Sequence, residues 1–571
     1  MNTAMKTVYR NGNIHTYDET TSTADSFVVE DGKFAFVGTE SDIDLGDANV
    51  VDLRGKTVIP AFTDAHLHPE GVALLALGLE LSSFGDDVAG IQAAIRDYLA
   101  KHPDTEIVKG FGWLENCFPG IGPDKKWLDE VTTDIPIALT AESGHTLWLN
   151  SKALELAGIT EDTVPVEGGI IERNEDGSLR GVVRTETYNQ VNQLLPDFTV
   201  EEYKDYMKKF LRFWNSMGLL GFFDAWSNLA GDSLIEAYKE LVEEGEMTAY
   251  FRGSYAIYPF EDIDAKIAEY KQRRGADDLG EAFQINTIKL FNDGAYEVNR
   301  SAYLLEPYAN NTPEDPDYVS APLWTQDRLN EVVEKSLQAG FQVHIHCIGD
   351  GAVHESVNAF EAAAAKGIPI NRSVIVHLES LADEDIPRIK KLGIIPAIHP
   401  IWAERDPWNV YMDDVIGYER SQKLWRIGAM VNEGIECAAA TDFPAATLGP
   451  SCPLLAIEQA VTRRLAKPSY PMIPDFDEEI HTQQLGDDYE RISLDQAVRL
   501  YTTGGARTLF SDDYTASISA GKNADFLILD KDIYTIPIEE VSSVQVLSTF
   551  MKGKELYSKE RDGVIEFPWE G

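Results

Sequence analysis

His66-Leu67-His68 closes an apolar run and is followed by Pro69. Side chains alternate along a strand, so residues two apart share a face, and two imidazoles placed this way can chelate one ion. Taken alone, such a pair is more often a packing or surface feature. Its position favours chemistry, because barrel enzymes keep their active sites at the C-terminal rim of the strands. His346 in FQVHIHCIGD and His377 in SVIVHLES end two further apolar runs. A histidine buried there needs a partner, since an unpaired polar group in a core is costly. Asp442 ends ECAAATDFP, where a carboxylate serves either a site or the cap of the next helix. Lys289, inside TIKLFNDG, is either a lysine that snorkels outward or one that is chemically modified. His344 shares a face with His346, so spacing alone leaves either as a ligand.

The elements that must position these residues can be counted. VIPAFTDAHLH, LLGFFDAW, TAYFRGSYAI, TIKLFNDG, FQVHIHCIGD, SVIVHLES, IIPAIHP and ECAAATDFP read as eight core strands. Helical stretches such as TQDRLNEVVEKSLQAG and AVHESVNAFEAAAAKG separate several of them, and eight is the number a closed parallel barrel requires. The candidate residues then occupy strand ends one, four, five, six and eight. The expected fold is an α/β protein: a TIM-like (β/α)8 barrel over residues 60–517, with a long insertion at about 69–217 after its first strand. An insertion of that length points to function. The two chain ends, 1–59 and 518–571, alternate short apolar runs with turns and predict one composite β-sandwich domain. Asn11-Gly12 and Asp31-Gly32 are hairpin signals within it.

Among 571 residues, 49 Lys and Arg face 95 Asp and Glu, a formal net charge of −46. A field of that sign repels DNA, RNA and anionic membrane surfaces. The expected partner is a small-molecule substrate, with a homodimer as the candidate assembly. Arg252 and Arg300 are local cations that can still accommodate an anionic group. Cys117, Cys347, Cys437 and Cys452 show no paired spacing, which argues against a disulfide framework. With no stretch suited to a signal peptide or membrane span, a cytoplasmic location is expected.

These motifs resemble the amidohydrolase superfamily, and more narrowly the amidohydrolase-3 (YtcJ-like) group, which includes N-substituted formamide deformylases. The resemblance is carried by VIPAFTDAHLH, AESGHTLWLNSKALELAGI, IKLFNDGA, HCIGDGAV, LGPSCPLLAIEQAVTRR, SLDQAVRLYTTGGA and SISAGKNADFLILD, nearly end to end. It implies that His66 and His68 bind one metal and that His346 and His377 bind a second. It further implies that an N6-carboxylated Lys289 bridges the two and that Asp442 is both ligand and general base. Zinc is the expected ion, one or two per chain. The implied reaction is hydrolysis of an amide-type, non-peptide C–N bond by metal-activated hydroxide. The alternatives are a lactone, cyclic imide or other carbonyl substrate on the same barrel, or a non-catalytic regulatory or binding protein. H-x-I-G-D favours His346 over His344, which then becomes a packing residue. His145, in the segment matching the group's insertion, is expected to point into the site and act in catalysis. Trp113, Glu115 and His145 are expected substrate contacts, and Glu186 reads as part of a solvated helix face. Where the group usually carries Gln-Pro-x-His on strand seven, this chain has His399-Pro400-Ile401-Trp402, placing His399 and Trp402 beside the substrate space.

Overall fold

The computed structural model describes residues 6–166, 168–229, 231–296, 300–445, 453–473 and 476–567. Cys452 and the start of LGPSCPLLAIEQAVTRR lie outside the described residues.

Eight parallel strands form the central sheet. In chain order they are Phe62–Leu67, Leu219–Asp224, Tyr250–Ala256, Phe283–Phe291, Gln342–Cys347, Val374–His377, Ile395–Ile398 and Ala438–Ala439. Each pairs with its sequence neighbour, as the expected (β/α)8 barrel requires. The seam between strands eight and one is closed just beyond them. Asp442 N–H donates to His66 O and His68 N–H to Phe443 O, both at 2.8 Å.

Alternation along the strands explains which residues reach the barrel interior. Ile288 and Leu290, like Val343 and Ile345, join the large core, while Lys289 and His344 are buried polar residues between them. Val374, Val376, Ala397, Ala438 and Ala65 form a separate small-residue cluster. In strand one the register slips between Asp64 and Leu67 against strand two. That irregularity re-aims the strand end carrying His66 and His68, as β-bulges near active sites do.

The segment after strand one builds a six-stranded sheet between Leu79 and Thr185. The expected insertion at 69–217 also took in Val200–Ser216, which belongs to the barrel instead. This helix opens with a Thr199–Glu202 capping box and buries Tyr203, Tyr206, Phe210 and Trp214 in the barrel core. Lys109, on the inserted sheet, pairs with Asp197 just ahead of the helix at 2.5 Å; both side chains are buried.

The chain ends form two sheets, of four and six strands, around Tyr9, Phe27, Phe34, Phe526 and Phe550. Thr57–Pro60 and Phe526–Leu529 pair antiparallel, so both ends share one sheet. Asp31-Gly32 turns a hairpin with φ of 50° and 76°. Asn11-Gly12 does not. There the chain crosses between sheets, because Thr7–Arg10 pairs with Ser26–Glu30 and Asn13–His15 pairs with Thr57–Pro60. A left-handed Asn serves a corner as well as a hairpin. Among the described residues no helix is long and apolar enough to cross a membrane.

Candidate metal centre

The strand-end residues converge. His66 Nε2 and His68 Nε2 lie 3.2 and 3.1 Å from one oxygen, Asp442 Oδ1. His377 Nδ1 is 4.0 Å from Asp442 Oδ2. Ligand atoms of His66, His377 and Asp442 all lie within 4.8 Å of one another. The rings of His346 and His377 are 4.4 Å apart. Two of these residues sit in left-handed backbone, Asp442 at φ 57° and His377 at φ 74°. Such conformations persist only where the surroundings hold them.

Several polar atoms of the site are buried without a hydrogen-bond partner. His66 Nε2, His377 Nε2, Asp442 Oδ1 and Lys289 Nζ are buried and make no hydrogen bond. Groups of this kind are rarely left unsatisfied. Imidazole nitrogens around a carboxylate oxygen suit a divalent cation, zinc in particular. The donor set therefore fits a metal.

Burial dominates the electrostatics. It drives His66 and His377 well below the usual imidazole range, helped by the Lys289 charge, and His346 to about 3. Lys289 is lowered to about 7 by burial, against the opposing pull of Asp442. Burial pushes Asp442 up, but His68, 3.1 Å from Oδ1, outweighs it together with His399 and Lys289, and the carboxyl ends below the usual value. His66, His346 and His377 are thus held toward the neutral imidazole form and Asp442 toward the carboxylate, the forms that bind a cation, while burial disfavours the charged form of Lys289.

A layer of supporting residues surrounds this centre. His344 Nε2 is 2.8 Å from His66 Nδ1, and its ring lies 4.6 Å from Phe223, so it supports His66 as well as filling the interior. Asp64 accepts from His66 N–H at 3.1 Å. Asp293 accepts from the N–H groups of Ile348 and Gly349 at 2.9 and 2.8 Å, bracing the turn that follows His346. Burial raises both carboxyls to about 7. Neither aspartate was singled out from the sequence, although TDAHLH and FNDG contain them. A carboxylate that organises backbone has no distinguishing spacing.

A cavity of about 300 Å³ opens over the centre. Its floor includes His68, His346, His377 and Asp442, and its walls come from the barrel rim and the insertion. His145 lines it, and burial lowers its pKa. Other expected contacts lie elsewhere. Trp113 is wholly buried in the insertion core, donating to Leu139 O at 2.9 Å beside Trp148. Glu115 is taken up by Thr146, at 2.9 Å, and by an ion pair with Arg184. His399 is enclosed behind His377, and Trp402 packs on His399 rather than on the cavity. Glu186 is not a solvated helix residue: it is buried, which raises its carboxyl to about 7. Asp224 and Trp226 line the cavity without having been predicted.

Comparison with known proteins fits this geometry. The amidohydrolase family model matches residues 49–557. The putative amidohydrolase YtcJ of Bacillus subtilis is 26% identical over 97% of this chain and 100% of its own. The N-substituted formamide deformylase of Arthrobacter pascens is 25% identical over 96% of this chain and 98% of its own. Among solved structures, an uncharacterized metal-dependent hydrolase from Pyrococcus furiosus superposes with a TM-score of 0.69 at 23% identity, covering 92% of this chain and 99% of that one. The whole-length match, the barrel and the converging His, Lys and Asp residues agree, and the chain belongs to the amidohydrolase family.

Proposed function

We propose that the protein is a zinc-dependent hydrolase of an amide-type, non-peptide C–N bond in a small molecule. The observation that carries this reading is the approach of His66 Nε2 and His68 Nε2 to Asp442 Oδ1, beneath a cavity able to hold a substrate. One or two divalent ions bound by His66, His68, His346, His377 and Asp442 would supply Lewis-acid polarisation of a carbonyl and of water. Asp442, kept ionised by His68, takes a proton from the attacking water and returns it to the leaving nitrogen. Lys289 has the properties needed for carboxylation: Nζ is enclosed, makes no hydrogen bond, lies over the Phe291 ring and has its pKa lowered by burial. As the free amine it adds to carbon dioxide, forming an N–C bond and releasing one proton, and the resulting carboxylate replaces a charge that would repel cations. His145, on the cavity wall, is positioned to meet the substrate carbonyl or its leaving group.

The walls narrow the substrate. Leu74, Phe111, Tyr188, Trp226, Leu229 and Phe291 favour an apolar or aromatic substituent. No Lys or Arg lines the cavity among the described residues, and the undescribed stretch 446–452 contains neither. Arg252 is engaged with Tyr514 at 2.8 Å, and Arg300 lies over the Tyr318 ring. A neutral amide with an apolar group suits this lining better than a carboxylate-bearing one. The kinship with a formamide deformylase supports the same choice.

The test is a hydrolysis panel of N-formyl and N-acyl arylalkylamines, lactones and cyclic imides on zinc-loaded protein. Turnover of the amides that vanishes in Asp442→Asn is expected. Turnover confined to lactones or imides would move the reaction to those carbonyls. No turnover of any class, with zinc bound, would favour a binding role.

A further inference from the structure

We propose that His399 is a positioning residue that fixes the tautomer of His377 and so presents the His377 Nε2 lone pair to the metal centre. The inference rests on the metal-dependent reading above and assigns a role to a residue outside the ligand set. His399 Nδ1 lies 3.1 Å from the carbonyl oxygen of Ala440. A carbonyl oxygen only accepts, so Nδ1 carries the hydrogen. In a neutral imidazole the other nitrogen is then an acceptor. His399 Nε2 is 2.9 Å from His377 Nδ1, with the two ring planes inclined by 22° and their centres 4.8 Å apart, and in this hydrogen bond His377 Nδ1 donates. The proton on His377 is thereby placed on Nδ1, between His399 Nε2 and the Asp442 carboxylate, whose Oδ2 is 4.0 Å away. Its Nε2, buried and without a hydrogen-bond partner, is left with the lone pair.

The chain of bonds is anchored in the fold. Ala440 N–H donates to Ile398 O at 2.8 Å, which joins strand seven to the segment leading into Asp442. The peptide that orients His377 through His399 therefore lies two residues before Asp442. Trp402 and Trp425 pack against the His399 ring at 4.6 and 5.9 Å and hold its plane. This gives His399 and Trp402 a joint purpose behind the ligand. It also supplies a restraint on His377, whose φ of 74° needs one. Partners of this kind set ligand orientation and basicity at metal sites.

His399→Gln tests the inference against His399→Leu and His399→Met. Glutamine can accept from His377 through its oxygen and donate to Ala440 through its nitrogen, whereas Leu and Met fill the space without either bond. Zinc chloride is titrated into each metal-free full-length protein in competition with a chromophoric chelator, and each metal-free protein is also melted. We expect zinc affinity about 10–100-fold weaker in Leu and Met, with Gln within a few-fold of wild type. Metal-free Leu and Gln variants should melt at similar temperatures. Wild-type affinity in Leu or Met overturns the proposal, as does equal weakening in all three variants. If neither apolar variant folds while Gln does, His399 is a core residue and the proposal also fails. Absence of zinc binding in wild type overturns the metal-dependent reading itself, a result distinct from the others.

Discussion

Thr441 donates to the Asp64 carboxylate twice, through its hydroxyl at 2.6 Å to Oδ2 and through its backbone N–H at 3.1 Å to Oδ1. Both residues are buried. The pair joins the end of strand eight to strand one, one residue before Asp442 and two before His66, so barrel closure and ligand placement share a joint. Thr441→Val keeps the shape but leaves one carboxylate oxygen without its donor. A loss of about 1–3 kcal/mol is expected, read as a lower melting temperature of the metal-free protein together with weaker zinc retention. An unchanged melt would mean that closure does not depend on this pair.

Lys289 gives a pH signature. Burial lowers its pKa in the folded chain from the ordinary 10.5 to about 7. Between those values the unfolded chain binds more protons, so the folded state gains stability as pH rises. The penalty is full below about 7 and gone above about 10.5. Lys289→Met removes it. The melting difference between metal-free Lys289→Met and wild type should be largest near pH 7 and shrink through pH 8 and 9, by at most about 1.4 kcal/mol per unit. A difference constant with pH would show that the amine is not held deprotonated by the fold.

His145 separates substrate handling from metal binding. It lines the cavity but is absent from the cluster around Asp442. His145→Ala should keep wild-type zinc content while kcat/KM on a responsive amide falls about 10²-fold or more, the range of a lost acid–base or polarising group. Loss of zinc in this variant would place His145 among the ligands.

The barrel and the residues that converge at its rim were legible because alternation and strand ends are local properties. Lys289, His344 and His346 face inward simply because Ile288, Leu290, Val343 and Ile345 face the outer core. The supporting residues were not legible in the same way. Asp64, Asp293 and His399 act through partners 377, 55 and 22 residues away, and nothing in their local sequence encodes those distances. Trp113 and Glu115 were misplaced for a related reason. A tryptophan and an acid beside a site motif look like contacts until the fold shows Trp148 and Arg184 already holding them. Asn11-Gly12 shows that a left-handed pair specifies a bend and leaves open which strands meet across it.

The insertion is tied to the barrel by a buried charge pair, Lys109 with Asp197, which Tyr203 also contacts at 2.9 Å. Lys109→Met strands the aspartate. The expected cost is about 3–5 kcal/mol, seen as an earlier melt and faster proteolysis between residues 78 and 199. A variant that melts like wild type would mean that water or other donors satisfy Asp197.

Elemental mass spectrometry of protein grown in unsupplemented medium and never exposed to chelator, compared with Lys289→Ala and Asp442→Asn, bears on all of this at once. One to two zinc ions per wild-type chain are expected, with a sharp fall in both variants. No stoichiometric metal in wild type would contradict the hydrolytic centre built from His66, His68, Lys289, His346, His377 and Asp442.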